Sequence, residues 1–217
     1  FCAKHFGFPS VIIAHGCAPV KREVPIDRAK RSVGVDPKIP IVGYVGFVGG
    51  MYKGLETLIE AMMKVRGAAL LIAGGTHVGA DTQYMLRLKE RTLKVLQGRC
   101  QWLGWIADER LPLVYGALNC LVYPSRFTTE SGALLMALSH GKACLTSRLP
   151  PFKEKEKLGA LMTFKGVKDL SRKIKRVLKD EMLRKSLEEG ARKYAKSVEW
   201  SKIAEKHIEL YESLVGS

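Results

Sequence analysis

The chain has 217 residues, 47% apolar and 26% charged, a length and balance suited to one compact domain with a sizeable core. No apolar run reaches the roughly 20 residues that cross a bilayer, and the apolar content excludes a disordered chain. Lys and Arg outnumber Asp and Glu by 36 to 21, a formal net charge of +15, so an anionic partner is expected: a phosphorylated ligand, a nucleic acid or a membrane surface.

In chain order, Phe1 stands where a Met would open a complete protein and reads as the end of an element that something precedes. Cys17 to Pro40, with Pro19, Pro25, Pro37 and Pro40, is the nearest thing to a linker and holds one short helix near Asp27–Ser32. Five runs then read as strands, Ile39–Gly46, Ala69–Ala73, Cys100–Leu103, Cys120–Tyr123 and Ala143–Thr146. Their apolar residues are nearly continuous rather than alternating, the pattern of strands buried on both faces. Helical spacing fills the gaps. From Lys53 to Gly67, Leu55, Leu58, Ile59 and Met62 fall on one stripe; Ala80–Leu96, Asp108–Leu118, Ser131–His140 and Pro151–Lys157 supply further crossovers. The alternation predicts an α/β fold: a Rossmann-like parallel sheet with helices on both faces, its ligands at the carboxyl ends of the strands. After Phe164 come three helices, Val167–Leu178, Glu181–Ser197 and Ser201–Leu214. In the first, Leu170, Ile174, Val177 and Leu178 make an apolar stripe, and the basic run Arg172, Lys173, Lys175, Arg176 and Lys179 reads as its solvated face.

The five cysteines, Cys2, Cys17, Cys100, Cys120 and Cys144, show no metal-binding spacing, and most sit in apolar stretches. They read as buried free thiols of a reducing cytoplasm. Three loops that follow strands carry candidate chemistry. Gly46 to Gly54 (GFVGGMYKG) combines glycines that admit a ligand close to the backbone, a helix N-terminus and the positive charge of Lys53, a set that suits a diphosphate; the glycines also serve as ordinary turn residues. The loop matches neither a Walker motif nor the GxGxxG fingerprint. Thr128 to Gly132 opens a helix, where Glu130 or Ser131 serves as a cap or the N–H groups of Gly132 and Ala133 receive an anion. Trp105 follows a third strand and can flank a nucleobase or join the core.

Taken in order, these segments resemble the carboxyl-terminal half of family-four retaining glycosyltransferases, which have the two-domain GT-B fold. The residues that carry the likeness are IIAHG, YVGFVGGMYKGLETLIEAM, LLIAGG, QWLGWI, LPLVYGALNCLVYPS, ESGALLMALSHGKACLTSRLPPFKE and EWSKIAEKHIELYESL, and they span nearly the whole chain. The resemblance implies an interdomain linker or preceding domain ending over residues 1–18 and a nucleotide-sugar-binding domain over 19–217, with the C-terminal helices 167–217 included. It implies that Lys53 neutralises the donor diphosphate, with Gly49, Gly50 and Gly54 in its loop. By the same likeness Gly74 and Gly75 lie under the nucleotide, and Trp105 and Ile106 lie in the segment that holds the base. Glu130 then stands for the first glutamate of the family's E-x7-E pair, and Ser131, Gly132 and Ala133 face the sugar and phosphate. Lys53 and Glu130 are thus the expected catalytic residues.

No metal and no cofactor beyond the donor, a UDP-, GDP- or ADP-sugar, is implied, because cations and helix N-termini stabilise the departing diphosphate. The implied partners are an amino-terminal GT-B domain and a glycan or lipid-linked acceptor, at a cytoplasmic location with peripheral membrane contact left open. The end of the chain, with Trp200 and Tyr211, is expected to pack back across the domain junction. Two positions depart from the family pattern. Phe47 stands where an arginine is expected, and Met136 where the second glutamate, the ribose ligand, is expected; Glu130 also lies six residues before Met136 rather than eight. These departures keep a second reading open, a degenerate binding domain without catalysis. A third, a basic nucleic-acid-binding module, is disfavoured because the basic residues are dispersed and lack interleaved aromatics.

Overall fold

The computed structural model describes residues 7, 10–20, 24–76 and 81–216, so the expectations at Phe1, Cys2 and Ala80 lie outside the described residues. Six strands form one parallel sheet: β1 Ile41–Val45, β2 Ala69–Ala73, β3 Cys100–Gly104, β4 Cys120–Tyr123, β5 Cys144–Ser147 and β6 Met162–Phe164. Their spatial order is β3-β2-β1-β4-β5-β6. The helices are α1 Ile26–Ser32, α2 Leu55–Met63, α3 Thr82–Leu96, α4 Leu111–Ala117, α5 Gly132–Ser139, α6 Pro150–Lys157, α7 Gly166–Lys179, α8 Glu181–Ser197 and α9 Trp200–Val215. Every residue of β1 and of β4 is buried, as a sheet covered by helices on both faces requires. The chain starts at the centre, winds outward through β2 to β3, then returns to lay β4 beside β1, with Val42 paired to Cys120. Helices after β1 and β4 therefore diverge, and a crevice opens at the carboxyl ends of those two strands.

The predicted stripes are the buried ones. Leu55, Leu58, Ile59 and Met62 of α2 are all inaccessible, α2 packs against α7, and Leu170, Ile174 and Val177 of the latter are buried. Arg172, Lys175, Arg176 and Lys179 of α7 are exposed, the solvated face expected of that run. On other helices, α1 packs with α4 and α5 with α8. The described cysteines are free, with Cys17, Cys120 and Cys144 buried and Cys100 partly so; burial pushes the Cys120 thiol up to about 12. Among the described residues no helix is long and apolar enough to cross a membrane.

Several boundaries differ from the sequence reading for local reasons. β6 was not expected: three residues are too few to show a period, and the strand exists because Leu145, Thr146 and Ser147 of β5 offer it a ladder. β1 starts at Ile41 because Pro40 has no N–H to pair and Ile39 remains exposed. The expected helix from Lys53 starts at Leu55, since Met51–Lys53 form a tighter 3₁₀ turn and Gly54 is left-handed, and it ends at Met63 rather than Gly67. Asp108–Leu118 splits into a 3₁₀ turn, Asp108–Arg110, and α4, whose first turn accommodates Pro112. At the end of the chain, α9 buries only Ile203, while Trp200, Ile208 and Tyr211 stay 50%, 53% and 59% exposed. Trp200 is held at its N-terminal end by the segment preceding α1: its N–H donates to the Cys17 carbonyl, and the His15 ring stands 5.2 Å away.

Candidate functional site

A cleft of about 430 Å³ lies at the crevice where the strand order reverses, bounded by the tips of β1, β2 and β4 and the start of α5. Its floor is glycine backbone. Gly46 donates its N–H to the Ala73 carbonyl, Gly74 donates to Gly104, and Val48 donates to Gly75, which stitches the tips of β1, β2 and β3 together. Gly74 has φ 144°, and a Cβ there would overlap the Gly46 carbonyl, so only glycine allows this approach. The result is a smooth shelf on which a bulky polar ligand can rest against main chain.

Lys53 reaches the cleft from the 3₁₀ turn after β1. That turn is fixed at both ends: the Tyr44 hydroxyl donates to the Phe47 carbonyl at 2.7 Å, and the Arg126 N–H donates to the Tyr52 carbonyl at 2.7 Å. Gly54 closes it at φ 66°, pressed so near the Pro124 carbonyl that a Cβ would overlap it. The Lys53 ammonium sits 5.0 Å above the Tyr52 ring, and among the described residues no carboxylate pairs with it. Half-burial holds its pKa below the usual lysine value, because desolvation disfavours the cation. A partly desolvated cation without a counter-ion is a strong attractor for an anionic ligand. Gly49, Gly50 and Gly54 do not line the cleft; their place is in the loop that carries Lys53.

The opposite wall is the start of α5. Ser131 caps the helix, its hydroxyl accepting the Leu134 N–H at 3.2 Å, and its carbonyl accepts from Leu135. The N–H groups of Gly132 and Ala133 have no carbonyl one turn back to bond, and the positive end of the helix dipole adds to them. Both residues line the cleft, with Met136 one turn on, 41% exposed. The Tyr123 hydroxyl, at the end of β4, has the Val45 and Ala133 carbonyls within donating reach of its one proton, at 3.1 and 2.9 Å, and so sits between α5 and β1. Glu130 also lines the cleft, but its carboxylate is engaged: Oε1 accepts the Ser131 N–H at 2.8 Å and Oε2 pairs with Lys155 at 2.7 Å. The rim is aromatic. Phe47 and Trp105 stand with ring centroids 6.0 Å apart, 42% and 70% exposed, and Ile106 lines the cleft beside them.

The structure thus brings Lys53, Gly74, Gly75, Trp105, Ile106, Glu130, Ser131, Gly132 and Ala133 to one cleft, together with the two departures Phe47 and Met136. Tyr123-Pro124-Ser125 stands out in the sequence as the exit from a strand, but the bracing roles of the Tyr44 and Tyr123 hydroxyls do not, because apolar strands conceal where a hydroxyl ends. Sequence reasoning also passed over Asp108, a cleft carboxylate, and Lys155, which lies in an alternating charged run that reads as solvated surface. His15 was placed only in the linker, yet its ring comes within 3.9 Å of where a Cβ on Gly132 would stand. Among the described residues no three His, Cys, Asp or Glu side chains gather as a metal-ligand set.

Residues 25–194 match the family described as glycosyl transferases group 1. The O-antigen chain mannosyltransferase B of Escherichia coli is 27% identical over 179 residues, 79% of this chain and 46% of that protein. The chain spans about half the length of the curated relatives it matches. Among solved structures, sucrose-phosphate synthase from Thermosynechococcus elongatus shares the fold with a TM-score of 0.81 at 24% identity, covering 93% of this chain and 52% of that one. HepE of Anabaena, solved in complex with UDP and glucose, has a TM-score of 0.75 at 18% identity, covering 88% and 52%.

Proposed function

The chain belongs to the group 1 glycosyl transferases, with the Rossmann-like architecture of one half of their GT-B fold, and from that premise we propose that its cleft is the donor site of an enzyme that moves a sugar from a nucleotide sugar to an acceptor. The observation that carries this reading is one cleft that joins Lys53, a cation paired with no carboxylate among the described residues, to the first N–H groups of α5, with an exposed aromatic at its rim. Breaking the bond between the sugar's anomeric carbon and the diphosphate leaves negative charge on the departing oxygens. Lys53 from one wall, and the Gly132 and Ala133 N–H groups from the other, stabilise that charge as it develops. The glycine floor lets the phosphates rest on backbone, and Trp105 offers a face to the base. Retention of configuration, a UDP-, GDP- or ADP-sugar donor and a glycan or lipid-linked acceptor complete the proposal. HepE's bound UDP and glucose supports a nucleotide-sugar ligand for this fold.

In this reading an amino-terminal domain supplies the acceptor side, covers the exposed face of α9 and makes the chain by itself a donor binder with little turnover. The enzyme works in the cytoplasm, peripheral to the membrane where the acceptor is a lipid. The apolar Phe47 and Met136 in the cleft favour a second reading, a transferase-like domain that binds without catalysis. Calorimetric titration of the chain with UDP, GDP, ADP and their sugars tests the first. Saturable binding of one nucleotide family, tighter than its nucleoside, is expected; binding of none overturns the donor-site reading.

A further inference from the structure

The Lys155 side chain is only 5% exposed, against 29% for its partner Glu130. It projects from α6 across 25 positions of sequence to place its ammonium 2.7 Å from Glu130 Oε2, and 5.5 Å from the centre of the Tyr194 ring on α8. A charge so deeply buried requires a counter-charge, and among the described residues Glu130 is the carboxylate paired with it. Glu130 is tied in turn to the structure that faces the cleft. Its Oε1 accepts the N–H of Ser131, the cap of α5, and its carbonyl accepts the Thr128 hydroxyl at 2.7 Å. Two groups, the Ser131 N–H and the Lys155 ammonium, therefore hold one carboxylate at the edge of the site, while Thr128 ties the Glu130 carbonyl and Tyr194 flanks the ammonium.

The geometry points to Lys155 as a positioning residue for the donor: it fixes the Glu130 carboxylate, and through it the turn 128–131 and the first N–H groups of α5. It acts in two ways. Held at both oxygens, Glu130 cannot swing, so the Ser131 cap and the direction of the Gly132 and Ala133 N–H groups stay set. Lys155 also cancels a negative charge that would otherwise stand beside a bound diphosphate and repel it. Lys155 touches neither the cleft nor its ligand and is not a catalytic residue; α6 and α8 gain through it a direct hold on the donor site. This inference rests on the proposed reading of the cleft as a diphosphate site.

The test is calorimetric titration with UDP, GDP and ADP of the parent chain and of Lys155→Met, Lys155→Arg, Glu130→Gln and the double variant Lys155→Met/Glu130→Gln, with folding checked by circular dichroism and urea unfolding. Lys155→Met is expected to weaken nucleoside diphosphate binding about tenfold, and Lys155→Arg by less than about threefold. In the Glu130→Gln background, Lys155→Met should change the Kd by less than about twofold, because the carboxylate charge that Lys155 holds and cancels is gone and a neutral amide oxygen binds the ammonium far less firmly. A folded Lys155→Met with the parent's Kd, or an equal loss in both backgrounds, overturns the inference. Should Lys155→Met fail to fold, Glu130→Gln and the double variant decide: equal Kd values support it, and a further loss on removing Lys155 overturns it. A parent that binds none of the three nucleotides overturns the cleft reading and this inference together, whereas a parent that binds beside an unaffected Lys155→Met overturns this inference alone.

Discussion

Lys53→Met is the most informative single substitution, because it removes a charge while keeping the length that packs on Tyr52. No carboxylate competes for the ammonium among the described residues, so its charge is available to a ligand. A charge-assisted hydrogen bond lost from a partly desolvated site costs about 1.5–3 kcal/mol, roughly tenfold to a hundredfold in Kd. Binding of the nucleoside without phosphates should change much less. The pH dependence has a definite sign. Burial lowers the Lys53 pKa, so diphosphate affinity should fall as pH rises through that lowered value, below the range of an ordinary lysine. For stability the sign is opposite. The unfolded state binds the proton more tightly, so the parent gains stability as pH climbs from the folded pKa toward 10.5. At neutral pH the buried charge opposes folding, and Lys53→Met should unfold at an unchanged or higher urea concentration. Titration at fixed low salt with UDP, GDP and ADP, beside the matching nucleosides, checks both. Equal diphosphate affinity in variant and parent, or an equal loss for nucleoside and diphosphate, would refute the reasoning.

Trp105→Ala should weaken nucleoside and nucleoside diphosphate alike by about 1–3 kcal/mol, the worth of one stacked base, and leave the urea midpoint unchanged because the ring is 70% exposed; a large loss of stability would return the residue to the core. Gly54→Ala forces a left-handed alanine against the Pro124 carbonyl and should destabilise by about 2–4 kcal/mol in urea unfolding, whereas a change below about 0.5 kcal/mol would show that the turn relaxes freely. Desolvation tends to raise the Asp169 carboxyl, but hydrogen bonds from the Lys165 N–H, Arg172 and Lys173 prevail and bring it to about 2. Its stabilisation is therefore present above pH 4 and lost as pH falls toward 2. Asp169→Asn should cost up to about 1 kcal/mol at pH 7, the range of a screened ion pair, and flatten that acid dependence; an unchanged acid unfolding curve would contradict it.

The sheet was legible because a strand buried on both faces is written as an unbroken apolar run, and Ile41–Val45 or Cys120–Tyr123 allow no other use of so many large side chains. β6 was not, since Met162–Phe164 is too short to carry a period and is made a strand by its neighbour. Helix ends moved where backbone chemistry overrode periodicity, at the left-handed Gly54 and at Pro112. The candidate site could be read because its residues follow directly after strands, a position that topology converts into nearness. Lys155 could not, because Lys153-Glu154-Lys155-Glu156-Lys157 has the pattern of a solvated helix, and only the packing of α8 and the Glu130 turn buries its third residue. Gly49, Gly50 and Gly54 show the converse: their motif placed them near the ligand, while the structure gives them the shaping of the loop that presents Lys53.

The most direct test of the account is a crystal structure of the chain with the nucleoside diphosphate that binds it best. The account predicts the diphosphate between the two walls of the cleft, with Lys53 Nζ and the N–H groups of Gly132 and Ala133 within about 2.7–3.2 Å of its oxygens and the base toward Trp105. A nucleotide bound elsewhere on the chain, or one in this cleft with its phosphates turned away from both Lys53 and the start of α5, would contradict it.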